Sequence, residues 1–378
     1  MKILHLCNKV PFPGRDGSSL AMEALIRVES RLGHEVHVLA LNTEKHWVDA
    51  TPPALDGVVL EALAVRTAPS LLGALGNLLQ TASYYASRFY QPSVARRVAE
   101  LAPTADVVVL DSLFMAVYLD ELGGTPVVLR AHNVEHAIWM RGLADEPWLR
   151  QAYVRLQAQR LRRWEARVAA SVDQVWAITA EDAAWFRHHR TAGVSVLPCS
   201  WDPKGSWAFS GAESDQAYHL GALDWTPNIR GMAWFIDRVA PKLECATLHV
   251  FSRQWPFAAP PARVAYSAEP LADFSAYGIF AAPIRSGSGM RIKLLEAMAR
   301  GKAVVTTPLG AEGLGATDGT HLILAETAEE FAAALDRLAG HREVRVALGQ
   351  AAAEHARQMF TDDRAAAVVA AELATFAG

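Results

Sequence analysis

One stretch of this 378-residue chain brings together residues that can hold a phosphate and a sugar. It contains two glycines, two cations and a carboxylate within ten positions: Gly287, Ser288, Gly289, Met290, Arg291, Lys293 and Glu296. Arginine and lysine donate charge-assisted hydrogen bonds to phosphate oxygens, whereas a carboxylate accepts hydrogen bonds from hydroxyl groups. The stretch therefore predicts a site for a nucleotide diphosphate, with the cations on the phosphates and Glu296 on the ribose.

The residues on either side of this loop indicate which elements position it. Tyr277–Pro283 is a short apolar run closed by proline, which predicts a buried strand. After the loop, Ile292, Leu295 and Ala299 recur at helical spacing until a glycine ends the pattern. The amino end of such a helix points N–H groups and a positive dipole at the ligand. A Gly-Ser-Gly loop alone is more often a turn, and a lone charge on a helix is usually solvated, so only their combination behind a strand favours a phosphate site.

The run from Gly287 to Thr307, followed by Gly310–Gly313, resembles the nucleotide-sugar signature of the family 4 glycosyltransferases. These are retaining enzymes of the GT-B fold, in which two Rossmann-like domains face each other across a cleft. The resemblance implies that Glu296 binds the ribose of a nucleotide-sugar donor. The chain departs from many members at Ser288, where they carry a glutamate near the donor sugar.

The first half of the chain alternates apolar runs with helical patterns. Ile3–Cys7 predicts a strand, Ser18–Leu32 a helix, and Glu35–Leu41 a second strand. Further strands are predicted at Val58–Val65, Val107–Leu110, Val127–Leu129, Gln174–Ile178 and Val194–Leu197. Alternation of this kind predicts the α/β class, with a mostly parallel sheet covered by helices on both faces.

A second alternating series follows Pro198–Gln216, a stretch without periodicity where we place a linker. Its strands are predicted at His219–Leu223, Ala246–Phe251, Gly278–Pro283, Ala303–Thr306 and His321–Leu324. In GT-B terms, residues 1–200 are expected to bind the acceptor and residues 201–361 the nucleotide sugar. The last helix, 362–378, is expected to cross back to the first domain; an ordinary C-terminal helix is the alternative.

Two positions of the first half are expected to reach the ligand because each follows a strand of a parallel sheet. His132 comes after Val127–Leu129, and the resemblance implies that it faces the donor sugar and the acceptor, although a lone histidine is more often structural. Gly17 lies in the long loop after the first strand, which the resemblance places beside the donor phosphates. A role for Ser18 as helix N-cap is compatible with this. Glu135 and His136 are weaker candidates.

The diphosphate is expected to be neutralised by cations rather than by a metal ion. Arg230 follows the strand His219–Leu223, near the position where the family holds the diphosphate with an arginine and a lysine. Arg291 and Lys293 are expected to take over that role. No Asp-x-Asp motif and no histidine–carboxylate spacing typical of metal sites is present, so neither a metal nor another cofactor is expected. The resemblance implies a same-face displacement in which the departing diphosphate helps to deprotonate the acceptor.

Composition argues against several other classes of protein. The net charge of -4 gives no reason to expect binding to nucleic acid, and the first loop lacks the Gly-x-Gly-x-x-Gly spacing of a dinucleotide enzyme. Cys7, Cys199 and Cys245 are odd in number and far apart, which predicts buried thiols in a reducing cytoplasm. The N-terminus is not typical of a secretory signal, and no apolar run approaches the roughly 20 residues that span a bilayer.

The acceptor surface is indicated by apolar residues beside basic ones. Leu71–Leu79 precedes a stretch rich in tyrosine and arginine, and Arg150–Arg167 is a second basic stretch beside Trp148. Such mixtures suit a membrane interface, which predicts a lipid-linked saccharide acceptor and peripheral contact with the inner leaflet. An amphipathic helix with a solvated basic face explains the pattern equally well.

The resemblance, together with these patterns, implies a metal-independent retaining hexosyltransferase that uses a UDP- or GDP-sugar in the biosynthesis of cell-surface polysaccharide or glycoconjugate. Two alternatives remain. A sugar-nucleotide epimerase of the GT-B fold would also bind such a nucleotide, but it needs acid/base carboxylates. A non-catalytic nucleotide-sugar-binding subunit of a transferase complex would keep Arg291 and Glu296 without turnover.

Overall fold

The computed structural model describes residues 1–49, 54–68, 70, 73, 76–77, 82–141, 143, 147–201, 209–287 and 289–376. The chain forms two compact units. The first comprises Met1–Trp201 together with Asp362–Gly378, and the second comprises Asp202–Thr361. The second unit is therefore one continuous segment inserted into the first.

A seven-stranded sheet in the order β3-β2-β1-β4-β5-β6-β7 forms the centre of the first unit, and its strand pairs are parallel. The strands are β1 Lys2–Cys7, β2 Glu35–Thr43, β3 Val58–Val65, β4 Val107–Asp111, β5 Val127–Ala131, β6 Gln174–Ala177 and β7 Val194–Val196. The α-helices are α1 Gly17–Arg31, α2 Tyr84–Ser87, α3 Pro92–Leu101, α4 Glu135–Arg141, α5 Trp148–Ser171, α6 Ala180–Arg187 and α11 Asp362–Leu373. Short 3-10 helices lie at Glu44–His46, Ala102–Thr104, Leu113–Glu121 and Ala374–Phe376.

Hydrophobic layers cover both faces of this sheet because its central strands are apolar on both sides. Along β1, Leu4 and Leu6 belong to one layer, whereas Ile3 and Cys7 belong to the other. This follows from the alternation of side chains along a strand. A shift of the strand by one residue would exchange the two faces, so burial fixes the register and with it the position of the strand ends.

The C-terminal helix α11 belongs to the first unit and packs on α1. Arg27 donates hydrogen bonds of 2.9 and 3.0 Å to the two carboxylate oxygens of Asp362. Val369 and Leu373 are buried in the same hydrophobic layer as Ile3. The helix thus covers part of one face of the first sheet.

The second unit contains a six-stranded sheet in the order β10-β9-β8-β11-β12-β13, also with parallel pairs. Its strands are β8 Ala217–Leu220, β9 Leu248–Phe251, β10 Val264–Ser267, β11 Ile279–Ala282, β12 Ala303–Thr306 and β13 Ile323–Leu324. The α-helices are α7 Thr226–Trp234, α8 Ile292–Ala299, α9 Ala328–Gly340 and α10 Arg342–Met359. A π-helical turn at Phe235–Val239 continues α7, and 3-10 helices lie at Ala240–Lys242 and Phe274–Ala276.

The α/β class with two parallel sheets is confirmed, and every strand predicted from the sequence occurs. Val58–Val65 and Ala303–Thr306 have the predicted bounds, whereas the others have shifted ends. One strand, β10, escaped prediction because it is a four-residue edge strand, too short for a periodic signal. The prediction that Ser18 caps α1 is wrong. Asp16 is the N-cap, and its carboxylate accepts a 2.9 Å hydrogen bond from the N–H of Ser19, which completes a capping box.

Within the described ranges, no helix has both the length and the apolar character that a membrane span requires. The segment Leu71–Leu79, singled out in the sequence as interfacial, lies mainly outside the described residues. Downstream of it, Phe89 is buried in the core and Arg97 pairs with Glu61 at 2.9 Å. The basic, aromatic character of this stretch is therefore partly explained by packing and ion pairing.

Candidate functional site

The loop between β11 and α8 carries most of the predicted donor-site residues. Gly287 and Gly289 have φ angles of +107° and +75°, in a region that residues with a Cβ rarely adopt. Ser288 between them lies outside the described residues, and Met290 is half-buried. Helix α8 begins at Ile292, so the N–H groups of its first turn face the loop. The loop and the helix thus occur where the sequence predicts them.

The two cations after the loop have different partners. Arg291 caps α8, and its Nη1 donates a 2.9 Å hydrogen bond to the carbonyl oxygen of Gly289. Its guanidinium lies against Gly287, where a Cβ would be 3.1 Å from Nη2. Lys293 instead reaches to α7, where its Nζ lies 3.4 Å from Oδ1 of Asn228. Arg291 therefore folds back over the loop, while Lys293 joins the loop helix to its neighbour.

The Lys293 ammonium is poorly solvated and is not neutralised by a carboxylate among the residues described around it. Burial, together with the charge of Arg291, lowers the pKa of Lys293 to about 7. Its hydrogen-bond neighbour Asn228 is an uncharged amide. A half-buried cation without a neighbouring carboxylate is less stable than a solvated one until an anion binds to it. The lysine is therefore prepared for an anionic ligand.

Two glycines allow neighbouring elements to approach this lysine. Gly231 in α7 lies so near the loop that a Cβ there would be 2.0 Å from the carbonyl oxygen of Pro283. At Gly221, after β8, a Cβ would be 2.6 Å from Nε2 of His219 and 3.4 Å from Nζ of Lys293. A Cβ would collide with the Pro283 carbonyl at Gly231 and with Nε2 of His219 at Gly221, whereas it would only touch Nζ of Lys293. The glycines thus permit β8, α7 and the loop to meet.

His219 in β8 contributes to the surroundings of the lysine, and the sequence analysis missed it. It is 2% exposed, and its Nδ1 donates a 2.8 Å hydrogen bond to the carbonyl oxygen of Ala281. Its Nε2 is buried and has no hydrogen-bond partner among the described residues. Burial and the charge of Lys293 lower the pKa of His219 to about 3, so the ring is neutral. A polar residue inside an apolar strand was the available signal.

Glu296 lies one turn into α8, as predicted, and forms an ion pair that the sequence analysis did not foresee. Its Oε1 accepts hydrogen bonds of 3.1 and 2.8 Å from Nε and Nη2 of Arg300. Arg300 in turn lies 3.7 Å from the centre of the Phe274 ring. The i, i+4 spacing of Glu296 and Arg300 was a usable signal for this pair. Arg300 fixes the carboxylate, whose side chain remains 25% exposed.

Arg230 lies in α7 and is half-buried. Asn228 and Gly231 occupy the side of this helix that approaches Lys293 and Pro283. Residues one or two positions apart do not share a helix face, so Arg230 is turned away from that side. Contacts thus group Arg291 with the loop and Lys293 with α7, whereas the role of Arg230 at the diphosphate stays a prediction.

In the first unit, His132 follows β5 and is held by a chain of buried side chains. Its Nε2 lies 2.6 Å from Oδ1 of Asp111, at the end of β4. The other oxygen of Asp111 lies 3.4 Å from Nδ1 of His5, whose Nε2 is 2.6 Å from Oε2 of Glu29. Asp111, His5 and Glu29 are fully buried, and His132 is 9% exposed. His132 thus lies at the exposed end of a polar chain that runs through the core.

The charges in this chain stabilise one another. Burial lowers the pKa of His5, but the charge of Glu29 and the hydrogen bond to Asp111 outweigh it and hold that pKa well above its usual value. Burial alone would raise the pKa of Asp111, yet hydrogen bonds from His132 and His5 hold it below its usual range. His5 is therefore charged between two carboxylates. The sequence showed no sign of this because the partners come from separate elements.

One group of potential metal ligands comes together in the described part of the chain. His5, Cys7 and Asp111 place ligand atoms within 4.8 Å of one another, and all three are buried. Burial raises the pKa of the Cys7 thiol to about 11, which disfavours the thiolate that a metal needs. The predicted absence of a metal requirement remains a prediction.

The other predicted residues of the first unit lie at the same carboxyl-terminal edge of the sheet. Gly17 is the first residue of α1, and the preceding Asp16 forms a 2.9 Å ion pair with Lys9. Glu135 begins α4, where burial and the charge of Glu165 raise its pKa to about 8. A carboxyl group that is protonated near neutral pH is the kind that acid/base catalysis uses. A catalytic role for Glu135 stays a prediction.

A pocket of about 460 Å³ lies elsewhere, at the amino-terminal edge of the first sheet, and is lined by residues such as Lys2, Glu35 and Val59. It contains none of the predicted site residues. Ligands of parallel α/β sheets bind at the carboxyl ends of the strands, so this pocket is not a candidate for the donor site.

Most of the second unit matches a known protein family. Residues 215–341 match the family described as "Glycosyl transferases group 1". The matched segment contains the whole β11–α8 loop with Arg291, Lys293 and Glu296. A search of curated protein sequences finds no match.

Solved structures resemble the whole chain. HepE of Anabaena in complex with UDP has a TM-score of 0.67 at 16% identity, covering 99% of this chain and 100% of its own. Sucrose-phosphate synthase of Thermosynechococcus elongatus has a TM-score of 0.71 at 14% identity, covering 99% of both chains. A variant of S. aureus TarM, in complex with fondaparinux, alpha-GlcNAc-glycerol and UDP, has a TM-score of 0.65 at 9% identity, covering 100% of this chain and 99% of its own. These likenesses confirm the GT-B fold that the sequence predicts.

Proposed function

We propose that the chain is a retaining, metal-independent glycosyltransferase of family 4, which transfers a hexose from a UDP- or GDP-sugar to a saccharide or lipid-linked saccharide. The observation that carries the proposal is the position of Lys293. Its poorly solvated ammonium lies one turn before Glu296, at the start of a helix behind a glycine loop. A cation for phosphate and a carboxylate for ribose are thus spaced for one nucleotide. The match of residues 215–341 to a glycosyltransferase family supports this assignment.

The proposed reaction depends on the stabilisation of the leaving group. As the bond between the sugar and the diphosphate breaks, Lys293 and Arg291 neutralise the charge that develops on the diphosphate. The acceptor hydroxyl gives its proton to the departing diphosphate and bonds to the sugar on the face that the diphosphate leaves, which retains configuration. His132, oriented by Asp111, is proposed to bind hydroxyl groups of the donor sugar. No metal ion takes part in this scheme.

Thermal unfolding with a panel of nucleotides tests the donor assignment. UDP, GDP, ADP, CMP and their sugars are added with and without EDTA. A ligand at a hundred times its dissociation constant adds about 2.7 kcal/mol to the free energy of unfolding. We expect stabilisation by uridine or guanosine diphosphates and their sugars, unchanged by EDTA. Absence of stabilisation by the whole panel would contradict the proposal, and loss of it in EDTA would contradict metal independence.

Product analysis then separates this activity from the alternatives. With donor and a mixture of saccharide acceptors, a transferase releases the nucleoside diphosphate and forms a glycoside. An epimerase would instead change the sugar without releasing the nucleotide, with Glu135 as the first carboxylate to replace. A binding subunit would be stabilised by the donor and leave it unchanged.

We further propose that the chain works at the cytoplasmic face of a membrane, where α5 contacts the bilayer. Trp148 and Leu149 are 74% and 65% exposed, and Leu156 further along the same helix is 37% exposed. The exposed arginines of α5 are Arg150, Arg155, Arg162, Arg163 and Arg167, whereas its one carboxylate, Glu165, is fully buried. Apolar side chains beside excess positive charge are complementary to anionic headgroups. Cys7 and Cys199 are buried as predicted, whereas Cys245 is exposed, so the prediction of a buried thiol is wrong there; all three are unpaired, which is consistent with a reducing compartment.

Vesicle sedimentation tests the membrane contact. The wild type is expected to bind vesicles that contain phosphatidylglycerol more strongly than pure phosphatidylcholine, and high salt is expected to release it. The double variant W148S/L149S should lose most of this binding. Trp47→Ser is the matched control, because Trp47 is 55% exposed on the same unit but far along the chain. Equal sedimentation of the double variant and the wild type would contradict the proposal.

A further inference from the structure

One buried nitrogen of the second unit, Nε2 of His219, has no hydrogen-bond partner among the described residues. His219 is 2% exposed. The 2.8 Å bond from Nδ1 to the Ala281 carbonyl places the ring proton on Nδ1, because a carbonyl oxygen can only accept. Nε2 therefore carries a lone pair and is an acceptor. A buried acceptor without a donor destabilises the folded state, so a role for it is expected.

Lys293 is a nearby group with hydrogen-bond donors, and its charge acts on His219. Nε2 of His219 and Nζ of Lys293 both lie close to Gly221. A Cβ placed on this glycine would be 2.6 Å from Nε2 and 3.4 Å from Nζ. Phosphate oxygens are acceptors, so Nε2 cannot serve the diphosphate directly. An ammonium group has three N–H donors, and the Oδ1 of Asn228 lies 3.4 Å away to accept one of them.

We infer that His219 is a positioning residue, whose Nε2 accepts a hydrogen bond from Lys293 and directs the ammonium toward the diphosphate of the donor. Asn228 accepts the second hydrogen, which leaves the third for the phosphate. A neutral ring is essential because an imidazolium would repel the lysine. This inference rests on the proposed function, since it assigns a role within the same donor site.

The surroundings of the pair make this role measurable through pH. The charge of Lys293 lowers the pKa of His219, and the charge of Arg291 lowers the pKa of Lys293. A further cation, Arg230, lies on the neighbouring helix α7. The pKa of Lys293 is about 7, so above pH 7 the lysine is mostly neutral and must take up a proton when it binds a diphosphate. An acceptor on the ammonium favours its protonated form. Loss of Nε2 should therefore lower the pKa of Lys293 further.

Calorimetric titration with UDP-glucose between pH 6 and pH 9 tests the inference. Its diphosphate is esterified at both ends and does not titrate in this range. For the wild type, affinity should fall about tenfold from pH 6 to pH 8, because the pKa of free Lys293 is about 7. In His219→Phe the fall should begin about one pH unit lower, with affinity at pH 6 within about threefold of wild type. His219→Gln, which retains an acceptor, should restore the wild-type profile.

The outcomes separate the inference from the proposed function. Failure of the wild type to bind UDP-glucose at every pH would count against a UDP-sugar donor site itself. Binding whose pH dependence is lost in Lys293→Met but unchanged in His219→Phe would overturn the inference alone. If His219→Phe does not fold, the 15N resonance of Nε2 is followed in the wild type. It should move when UDP-glucose binds, and it should not move in Lys293→Met; equal shifts in both proteins would overturn the inference.

Discussion

Replacement of Lys293 by methionine is expected to lower kcat/KM for sugar transfer by about 10²–10³-fold, the usual effect of removing one group that stabilises developing negative charge. Methionine keeps an unbranched stem and removes the ammonium. The charge on the leaving diphosphate grows as the bond breaks, so kcat should fall more than KM rises. Initial rates of nucleotide release at several donor concentrations measure both constants.

Arg285 provides the matched control for this prediction. It is an exposed cation of the same loop, its Nη1 donates a 3.0 Å hydrogen bond to the Glu326 carbonyl, and it lies over the Trp234 ring at 4.9 Å. Arg285→Ala is expected to leave kcat/KM within about threefold of wild type. A similar loss in both variants would indicate a general disturbance of the loop. Unchanged kcat in Lys293→Met would remove the lysine from the reaction.

The ligand-free Lys293→Met protein should also be more stable than the wild type at pH 6, by about 2 kcal/mol, because it no longer buries an ammonium. The variant is expected to be the more stable protein because folding lowers the pKa of Lys293. Below pH 7 the lysine is charged in both states and the folded state bears the cost of burial. Toward pH 10 the folded lysine is neutral, so wild-type stability rises and the difference should shrink. Thermal unfolding at both pH values measures this, and it shows that lost activity is not lost folding.

Glu296→Ala is expected to weaken nucleotide-sugar binding by roughly 1.5–3 kcal/mol, or about 10–150-fold, because the ribose hydroxyls lose a charged acceptor. The ion pair with Arg300 complicates a simple comparison, since the substitution also releases the guanidinium. Arg300→Met breaks the same ion pair but keeps the carboxylate, so its affinity should stay within about threefold of wild type. Calorimetry with UDP-glucose gives both values.

A nucleotide without ribose hydroxyls makes the Glu296 assignment specific. For the wild type, 2′,3′-dideoxy-UDP should bind about as weakly as UDP binds to Glu296→Ala. In the variant, removal of the hydroxyls should cost little more, because the partner carboxylate is already absent. An equal additional loss in the variant would show that the carboxylate and the hydroxyls act independently, and the ribose assignment would fail.

The loop, its helix and the cations were predictable because they are local. Glycines, Arg291, Lys293 and Glu296 follow one another along the chain, and their spacing alone places them at one helix terminus. His219 and Asp111 were not predictable in the same way. Each acquires its role from partners on other elements, Lys293 in one case and His132 in the other. Such pairings depend on strand order and register, which periodicity does not encode.

The strands were found from the sequence for a similar reason. Long apolar runs such as Val58–Val65 can be recognised as strands without knowledge of their partner strands, and the structure has a strand with these bounds. Short edge strands such as Val264–Ser267 carry too few residues for a pattern. The N-cap of α1 was misplaced because the chain offers several capping residues in succession, and the hydrogen bond from Ser19 selects Asp16.

The insertion of the second unit has a consequence for how the chain matures. Ser200 and Asp362 flank that unit and join through a 2.7 Å hydrogen bond from the serine hydroxyl to the carboxylate. During synthesis, all strands of the second unit emerge before Asp362 does. The first unit lacks Val369 and Leu373 in its hydrophobic layer until the segment after Asp362 has also been made. The second unit, although it is made later than most of the first, can therefore complete its hydrophobic core before the first unit does.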